Sequence, residues 1–202
     1  QLGDFRLIRE VGRGGMGVVF EAEQVSLGRR VAVKVLPAAA TLDQRTFQRF
    51  QLEAQAAALL SHPNIVPIYS VGRDRGVDYL AMRLVDGRTL AELIRDRRHS
   101  RQTDHATAPP DHLAASRLML PVAEALAHAH ELGIFHRDIK PANVIVDAEG
   151  RPWITDFGMA RLQGESDLTR TGDLIGTMRY MSPEQAIGRV SDIDGRSDVY
   201  SL

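Results

Sequence analysis

The stretch GRGGMG, residues 12–17, places glycines between two strand-like runs and is the feature that most constrains the fold. The flanking runs, FRLIREV (5–11) and VVFEAEQV (18–25), are rich in β-branched and aromatic residues, and RRVAVKVL (29–36) follows after the turn SLG. Glycines spaced G-x-G-x-x-G also occur in dinucleotide-binding folds, but there they open a helix, whereas here a second strand follows them. The sequence therefore predicts an antiparallel sheet whose glycine loop is either a plain turn or a loop that approaches phosphate oxygens.

An Ala- and Leu-rich stretch after the third strand predicts a helix that begins at Thr41 and stops before Pro63. Its apolar residues recur at helical spacing and do not alternate as they would in a strand. The runs IVPIYSVG and VDYLAMRLV then predict two further strands, joined through the turn RDRG. The first part of the chain is therefore expected to be a small sheet with one helix.

Beyond Asp86 the pattern is mainly helical. TLAELIRDRR and HLAASRLMLPVAEALAHAHEL predict two helices separated by a polar loop over residues 98–112, and Pro121 is expected to kink or restart the second helix. The predicted fold class is α+β, with a β-rich lobe over residues 1–85 and a mainly helical lobe over residues 86–202.

The composition excludes several kinds of site. The chain of 202 residues has 25 basic and 26 acidic residues, so its formal charge of -1 gives no reason to expect nucleic acid or an anionic membrane as a partner. It has no cysteine, which excludes disulfides and thiolate catalysis and fits a reducing cytosol. No stretch is apolar enough to span a bilayer, and the histidines lack the spacing of a zinc site. We expect a cytoplasmic location for this chain.

Lys34 lies in the strand-like run VAVK, and Glu53 stands alone in the otherwise uncharged helical stretch QLEAQAAALL. A lysine in a strand is usually an edge residue whose ammonium reaches water. Glu53, however, lies on the helix face that is expected to meet the sheet, where a carboxylate needs a cation. Two interpretations stay open: an edge lysine, or a pair of Lys34 and Glu53 that aims the ammonium at phosphate oxygens.

The stretch HRDIKPANVIVDAEGRPWITDFG, residues 136–158, combines acidic, basic and amide side chains with an apolar run. A proline in HRDIKPAN excludes a helix there, and VIVD and PWITD predict a hairpin about the turn AEG, which returns Asp156 towards Asn143. A loop carboxylate such as Asp138 can accept a proton from a hydroxyl, and amide and carboxylate oxygens suit Mg2+. The alternative is a metal-free hairpin with acidic loop ends.

These motifs, in this order, resemble those of the eukaryotic-type protein kinase family over nearly the whole chain. GRGGMGVVFEA, HPNIVPIY, HRDIKPANV and GTMRYMSPEQA are most similar to bacterial serine/threonine protein kinases. The resemblance implies the bilobal protein-kinase fold, with a small antiparallel sheet lobe plus one helix and a mainly helical large lobe that is incomplete here. It also implies that the domain continues beyond Leu202, that Asp198 braces the catalytic loop, and that Glu184 pairs with an arginine of that continuation.

The resemblance assigns catalytic and nucleotide-binding roles. It implies that Asp138 is the catalytic base and that Lys140 steadies the γ-phosphoryl group of ATP. It implies that Lys34, held by Glu53, contacts the α- and β-phosphates. The ligands of Mg2+, or alternatively of Mn2+, would be Asn143 and Asp156. The remaining nucleotide contacts would come from Val11, Gly12, Gly14, Gly17, Val19, Ala32, Met82 and Ile145.

The resemblance also bears on the acceptor and on regulation. Lys140 and Thr177 are typical of serine/threonine rather than tyrosine kinases, so the expected partner is a protein substrate with serine or threonine. Thr169 and Thr171 lie in the polar centre of the segment between DFG and SPE, where an added phosphate could pair with Arg137. We therefore expect autophosphorylation there, and a solvated loop without a regulatory role is the alternative.

Two classes of function stay open at this point. The first is an active protein kinase, which the presence of every catalytic residue favours. The second is a domain that binds ATP without transferring it, for which losses at Lys34, Asp138 or Asp156 would have been typical. Dimerisation through the small lobe is common in similar bacterial kinases, and a membrane anchor outside this chain is compatible with a cytoplasmic catalytic domain.

Overall fold

The computed structural model describes residues 1–14, 17–36, 44–103, 112–157 and 178–202. No helix in these ranges is both long and apolar enough to cross a bilayer. The predicted threonines of the segment between DFG and SPE lie outside the described residues.

The chain forms two compact units. The first is built mainly from Gln1–Ser61 and Val66–Leu84, and the second from His62–Ile65, Val85–Asp156 and Tyr180–Leu202. The lobe limits drawn from the sequence stay a prediction.

The first unit contains a five-stranded antiparallel sheet with the strand order β1-β2-β3-β5-β4. Its strands are β1 (Phe5–Gly14), β2 (Gly17–Gln24), β3 (Arg29–Val35), β4 (Ile68–Asp74) and β5 (Val77–Arg83). Strands β4 and β5 are joined by the two residues Arg75 and Gly76, which both have positive φ angles of 48° and 76°. Such a turn matches the right-handed twist of a hairpin, and the hairpin predicted at RDRG is confirmed.

Helix α1 (Gln44–Ala58) covers one face of this sheet. Phe50 and Ala54 are each 1% exposed and pack with Leu36 and Leu80 of the sheet. Because such residues recur three or four apart, they form one apolar stripe, which is what holds the helix in place. The opposite face of the sheet has its own core, formed by Leu2, Phe5, Ala22, Val31, Val33 and Ala81.

The second unit combines helices with a small antiparallel sheet of order β6-β7-β8. Its strands are β6 (Gly87–Thr89), β7 (Val144–Asp147) and β8 (Pro152–Ile154). Its helices are α2 (Leu90–Thr103), α3 (His112–Glu131), α4 (Pro183–Ala186) and α5 (Gly195–Ser201). The predicted hairpin of VIVD and PWITD is confirmed as the pair β7 and β8.

The short segment His62–Ile65 is anchored to β8. Asn64 donates its side-chain Nδ2 to the Pro152 carbonyl oxygen at 2.8 Å and accepts the Ile154 backbone N–H at 2.7 Å. Ile65, which is 2% exposed, forms a parallel bridge with Ile154. These contacts explain why the segment belongs to the second unit, although it lies between α1 and β4 in sequence.

One helix prediction was wrong, and one of the two alternatives given for Pro121 is excluded. Helix α2 continues to Thr103, so the part of the predicted polar loop from Arg98 to Thr103 is helical. Helix α3 is one helix with Pro121 inside it and does not restart there. Its buried residues, Val122, Ala125, Leu126 and Ala129, form an apolar stripe. Packing of that stripe offsets the hydrogen bond that a proline removes, which local sequence rules do not include.

Strand β6 was missed from the sequence because it is short and begins at a glycine. A Cβ atom on Gly87 would collide with the carbonyl oxygen of Val146, so only glycine allows this strand to approach β7. The pairing of Gly87 with Asp147 and Thr89 with Ile145 places the start of α2 beside the hairpin that follows the HRDIKPAN stretch.

Candidate active site

The three glycines of the G-x-G-x-x-G motif are not all required by the fold. Gly17 has a φ angle of 120°, and an added Cβ would collide with the Val35 carbonyl oxygen, so the fold itself requires glycine there. At Gly12 the nearest described atom to an added Cβ, on Val19, is 4.0 Å away, and at Gly14 no described atom lies within 4 Å. The protein as described thus leaves space for side chains at Gly12 and Gly14, which fits a loop kept bare for the approach of a ligand.

Lys34 occupies a central position of the first sheet. Strand β3 lies between β2 and β5, and Lys34 pairs with Val19 on one side and Leu80 on the other. It is only 4% exposed, so the interpretation as an edge lysine that reaches water is wrong. An ammonium buried in a sheet requires anionic groups around it, which is the environment expected of a phosphate-binding lysine.

Glu53 lies on α1, half-buried, beside the apolar stripe that packs on the sheet. In helical projection it lies next to the row of Phe50 and Ala54, at the border between the buried and exposed faces. The elements that carry Lys34 and Glu53 therefore belong to the same unit. Their direct contact stays a prediction.

Four of the five apolar residues assigned to the nucleotide lie on strands of the first sheet, and the fifth lies in the second unit. Ala32 on β3 and Met82 on β5 are directly opposite each other and are 7% and 5% exposed, whereas Val11 on β1 is 41% exposed. Val19 on β2 is opposite Lys34, and Ile145 lies on β7 of the second unit. Their contacts with a nucleotide stay predictions.

A single carboxylate organises the backbone of the HRDIKPAN loop. Asp198 is 1% exposed and accepts the backbone N–H groups of His136 and Arg137 at 2.8 and 2.6 Å. Its Oδ2 atom also lies 2.8 Å from Nε2 of His130 on α3. Hydrogen bonds to a charged acceptor are among the stronger ones in proteins, so this contact fixes the loop main chain. The bracing role predicted for Asp198 is confirmed, and His130 was missed from the sequence.

Two non-glycine residues of the site have left-handed backbone conformations. Arg137 has φ 67° and Asp156 has φ 66°. Such conformations cost about 1–3 kcal/mol each and persist only when the surroundings hold them, which is common at functional sites. For Arg137 the holding group is Asp198, through its bond to the Arg137 N–H.

Asp138, Lys140 and Asn143 converge in this loop. Nζ of Lys140 lies 2.8 Å from Oδ2 of Asp138, and Nδ2 of Asn143 donates to the Asp138 carbonyl oxygen at 2.7 Å and to Oδ2 at 3.1 Å. A cation and an amide thus hold the Asp138 carboxylate in one orientation. A carboxylate held in this way can accept a proton from a hydroxyl that binds within hydrogen-bond reach of it.

The hairpin brings Asp156 back to the loop. The Thr155 N–H donates to the carbonyl oxygen of Asn143 at 3.0 Å, and Val144 pairs with Ile154. Asp156 follows directly, so an amide and a carboxylate stand at the open end of the hairpin. Mg2+ prefers oxygen ligands and usually takes only one or two from the protein, so Asn143 and Asp156 fit this ion by their chemistry.

The segment that begins at residue 178 is attached to the same loop. Nε2 of Gln185 on α4 donates to the Arg137 carbonyl oxygen at 2.6 Å. Glu184 accepts a hydrogen bond from the Ser197 hydroxyl, which lowers the pKa of Glu184 below its ordinary value. The sequence indicated an arginine beyond Leu202 as the partner of Glu184 and did not indicate Ser197. Neither Gln185 nor Ser197 carried a recognisable signal.

Of the residues assigned to regulation, Arg137 lies among the residues that the structure describes. Arg137 lies in the braced loop, and its guanidinium carbon is 5.9 Å from the centre of the Phe135 ring. Thr169, Thr171 and Thr177 lie outside the described residues, so their roles stay predictions.

Comparison with known proteins agrees with these motifs. The family model described as "Protein kinase domain" matches residues 5–202. Serine/threonine-protein kinase PrkC of Bacillus subtilis is 38% identical over 200 residues, which cover 99% of this chain and 29% of that protein. Serine/threonine-protein kinase PknB of Mycobacterium leprae is 40% identical over 207 residues, which cover 100% of this chain and 30% of that protein. The chain therefore spans less than a third of the length of these relatives.

A solved structure supports the same conclusion for the fold. The crystal structure of the Mycobacterium tuberculosis PknI kinase domain matches with a TM-score of 0.75 and 31% sequence identity, covering 100% of this chain and 71% of that chain. The predicted α+β protein-kinase fold and the predicted resemblance to bacterial serine/threonine kinases are thus confirmed. The chain belongs to the protein kinase domain family.

Proposed function

We propose that this chain carries the active site of an ATP-dependent serine/threonine protein kinase that acts in bacterial signalling. The observation that supports the proposal most strongly is the arrangement of Asp138 between Lys140 and Asn143, in a loop whose backbone is fixed by Asp198. A metal-free surface hairpin would need neither the buried carboxylate nor the left-handed conformation of Arg137.

In the proposed reaction, Asp138 accepts the proton of a substrate hydroxyl while the hydroxyl oxygen forms a bond to the γ-phosphorus of ATP. The bond between that phosphorus and the oxygen bridging to the β-phosphate breaks, and ADP leaves. Lys140 neutralises charge on the transferring group. Asn143 and Asp156 hold Mg2+, with Mn2+ as an alternative, and the ion when bound neutralises phosphate charge.

The first unit supplies most of the nucleotide contacts in this proposal. Lys34, oriented by Glu53, contacts the α- and β-phosphates, and the bare backbone at Gly12 and Gly14 approaches the phosphates. The space around these two glycines and the burial of Lys34 support the assignment. Val19, Ala32 and Ile145 are assigned to the two faces of adenine, Met82 is the gatekeeper, and Val11 is a further nucleotide contact.

The acceptor is a serine or threonine of a protein, because Lys140 and Thr177 match the pattern of serine/threonine kinases. We further propose autophosphorylation on Thr169 or Thr171, with Arg137 as the cation that pairs with the added phosphate. A cytoplasmic location of the catalytic residues and dimerisation through the first unit complete the proposal.

The proposal is tested by peptide mass spectrometry of the full-length protein after incubation with ATP and Mg2+. We expect phosphate on serine or threonine, including Thr169 or Thr171, in the unmodified protein and none in Asp138→Asn. The variant keeps the shape of the side chain but cannot take up the proton. A folded protein that binds ATP and gains no phosphate would contradict the kinase proposal and favour a binding module.

The regulatory part has its own test. Replacing Thr169 and Thr171 together by alanine is expected to lower transfer to an added protein substrate, because the phosphate that orders the segment is lost. If the double variant keeps the activity of the unmodified protein, the regulatory assignment is wrong while the kinase assignment stands.

A further inference from the structure

Gln185 makes two hydrogen bonds of opposite polarity with its side-chain amide. Its Oε1 accepts the backbone N–H of Ser182 at 3.0 Å, and its Nε2 donates to the carbonyl oxygen of Arg137 at 2.6 Å. The orientation of the amide follows from these partners, because the reverse orientation would place N–H against N–H and oxygen against oxygen. The contact joins α4 to a residue 48 positions earlier in the chain.

The carbonyl group that Gln185 contacts belongs to the peptide bond between Arg137 and Asp138. Asp198 binds the N–H groups of His136 and Arg137, so it fixes this stretch only through donors. Gln185 instead restrains a hydrogen-bond acceptor of this stretch, the Arg137 carbonyl oxygen. Arg137 has a left-handed φ of 67°, a conformation that costs free energy in a non-glycine residue and persists only when such contacts hold it.

We propose that Gln185 is a positioning residue for catalysis, which fixes the Arg137 carbonyl and thereby the approach of the Asp138 side chain. The inference rests on the proposed role of Asp138 as the base. The same contact makes helix α4 a direct structural neighbour of the loop that carries Asp138.

The chemistry requires an amide at this position. A carboxylate in Gln185→Glu still accepts from the Ser182 N–H but offers no hydrogen to the Arg137 carbonyl and repels its oxygen. A thioether in Gln185→Met has a similar length and offers no hydrogen at any pH. When the introduced carboxyl is protonated, its O–H regains the missing donor, so the two variants differ in their response to pH.

The test measures kcat and KM in the full-length protein, with a peptide of residues 164–176 as the phosphate acceptor. We expect both variants to lower kcat about tenfold, equivalent to one lost hydrogen bond, with KM for ATP unchanged. We expect the ratio of Gln185→Glu to unmodified kcat to rise as the pH is lowered, because protonation of the new carboxyl restores a donor to the Arg137 carbonyl. The same ratio for Gln185→Met is expected to stay flat.

Ser201→Ala is the matched control. The Ser201 hydroxyl donates to the Tyr180 carbonyl oxygen at 2.6 Å, so its loss also removes a side-chain bond that holds the same segment, but it leaves Arg137 untouched. We expect a kcat close to that of the unmodified protein. An equal loss of kcat in Ser201→Ala and Gln185→Met would mean that general loosening of the segment is the cause, and the proposal would be overturned.

A second measurement is independent of activity. The carbonyl carbon of Arg137, labelled with 13C, reports its hydrogen bond by its NMR chemical shift. We expect a changed shift in Gln185→Met and an unchanged shift in Ser201→Ala. If the unmodified protein transfers no phosphate but the Arg137 shift changes in Gln185→Met, the kinase assignment fails and the hydrogen bond from Gln185 to the Arg137 carbonyl is confirmed. If neither the shift nor kcat changes in Gln185→Met, the proposal that Gln185 fixes the Arg137 carbonyl is wrong.

Discussion

Asp78 in the first unit and Asp198 in the second are buried to the same degree, each 1% exposed, but they are compensated differently. Asp78 receives the guanidinium of Arg73, whose Nε and Nη2 lie 2.5 and 2.8 Å from its two oxygens. Asp198 receives two backbone N–H groups of the catalytic loop, together with the ring of His130. One carboxylate is neutralised by a full charge on a flexible stem, and the other by fixed backbone dipoles.

The difference determines what each carboxylate holds in place. Arg73 also lies over the ring of Phe47 on α1, 4.0 Å from its centre, so Asp78 fixes a side chain that contacts the helix carrying Glu53. Asp198 fixes main-chain atoms next to Asp138. A side chain that loses its partner can turn to water, whereas a buried backbone N–H cannot, so the same burial has unequal consequences.

The largest effect is expected for Asp198→Asn. The asparagine oxygen can accept one backbone N–H, but its NH2 group faces another, so a buried donor is left without an acceptor. We expect the free energy of unfolding, from urea titration, to fall by about 3 kcal/mol and kcat to fall at least about tenfold. Asp192→Asn, at an exposed site of the same unit, is the control and should change neither. Full activity in Asp198→Asn would contradict the statement that Asp198 holds the main chain next to Asp138 in place.

A smaller effect is expected for Asp78→Asn. The asparagine oxygen still accepts from Arg73, whose side chain is 31% exposed and can be solvated when the second bond is lost. We expect a loss of about 1–2 kcal/mol in urea titration. The catalytic loop belongs to the other unit, so kcat should fall much less than in Asp198→Asn. A loss of stability as large as that of Asp198→Asn would mean that charge and dipole compensation are equivalent here.

Salt should separate the two kinds of compensation. Arg73→Lys loses the bidentate geometry and the stacking on Phe47, and we expect a lower urea midpoint, by less than in Asp78→Asn. Because Arg73 is partly exposed, the difference in urea midpoint between Arg73→Lys and the unmodified protein should shrink between 0.05 and 1 M NaCl. The corresponding difference for Asp198→Asn should not shrink. Arg75→Lys, in the same hairpin but 81% exposed, should behave as the unmodified protein. Identical salt dependence of both carboxylate sites would count against the distinction.

The smallest effect concerns His62, a partly buried histidine whose pKa is lowered. Burial, with repulsion from His128, lowers the pKa of His62 below its ordinary value of 6.5, and Glu124 partly opposes the shift. The rings of His62 and His128 are 5.5 Å apart, and Nδ1 of His62 accepts the Asn64 N–H at 3.2 Å. The unfolded chain therefore binds a proton more readily than the folded chain, and stability should decrease as the pH falls below about 6.5.

His62→Asn tests this, since the asparagine oxygen can replace Nδ1 as the acceptor for Asn64. We expect a weaker dependence of the urea midpoint on pH between 7.5 and 5.5 than in the unmodified protein. His112→Asn, at an exposed position of α3, serves as the control and should leave the dependence unchanged. An unaltered slope in His62→Asn would show that another group causes the decrease.

The parts of the fold that could be predicted depend on local pattern. The five strands of the first sheet, the hairpin of β7 and β8 and the RDRG turn follow from alternation and turn chemistry within a few residues, and they were predicted correctly. The continuous helix through Pro121 could not be predicted, because its stability comes from packing of Val122, Ala125 and their neighbours. Strand β6 was missed because its pairing depends on a glycine that matters only once Val146 lies opposite.

The site shows the same limit. Asp138, Lys140, Asn143 and Asp156 were found because their motifs are contiguous. The contacts that hold them join residues far apart in sequence: His130 and Asp198 are 68 positions apart, and Arg137 and Gln185 are 48. No periodicity or spacing rule connects such residues, so only the structure reveals them.

Hydrogen exchange at the amides of His136 and Arg137 measures whether the buried Asp198 carboxylate fixes the backbone of the loop that carries Asp138. In the unmodified protein we predict that these two amides exchange only when the whole unit unfolds. In Asp198→Asn they should exchange much faster than the amides of β7, while Asp78→Asn leaves them unchanged. Equal protection of the two amides in the unmodified protein and in Asp198→Asn would contradict the account.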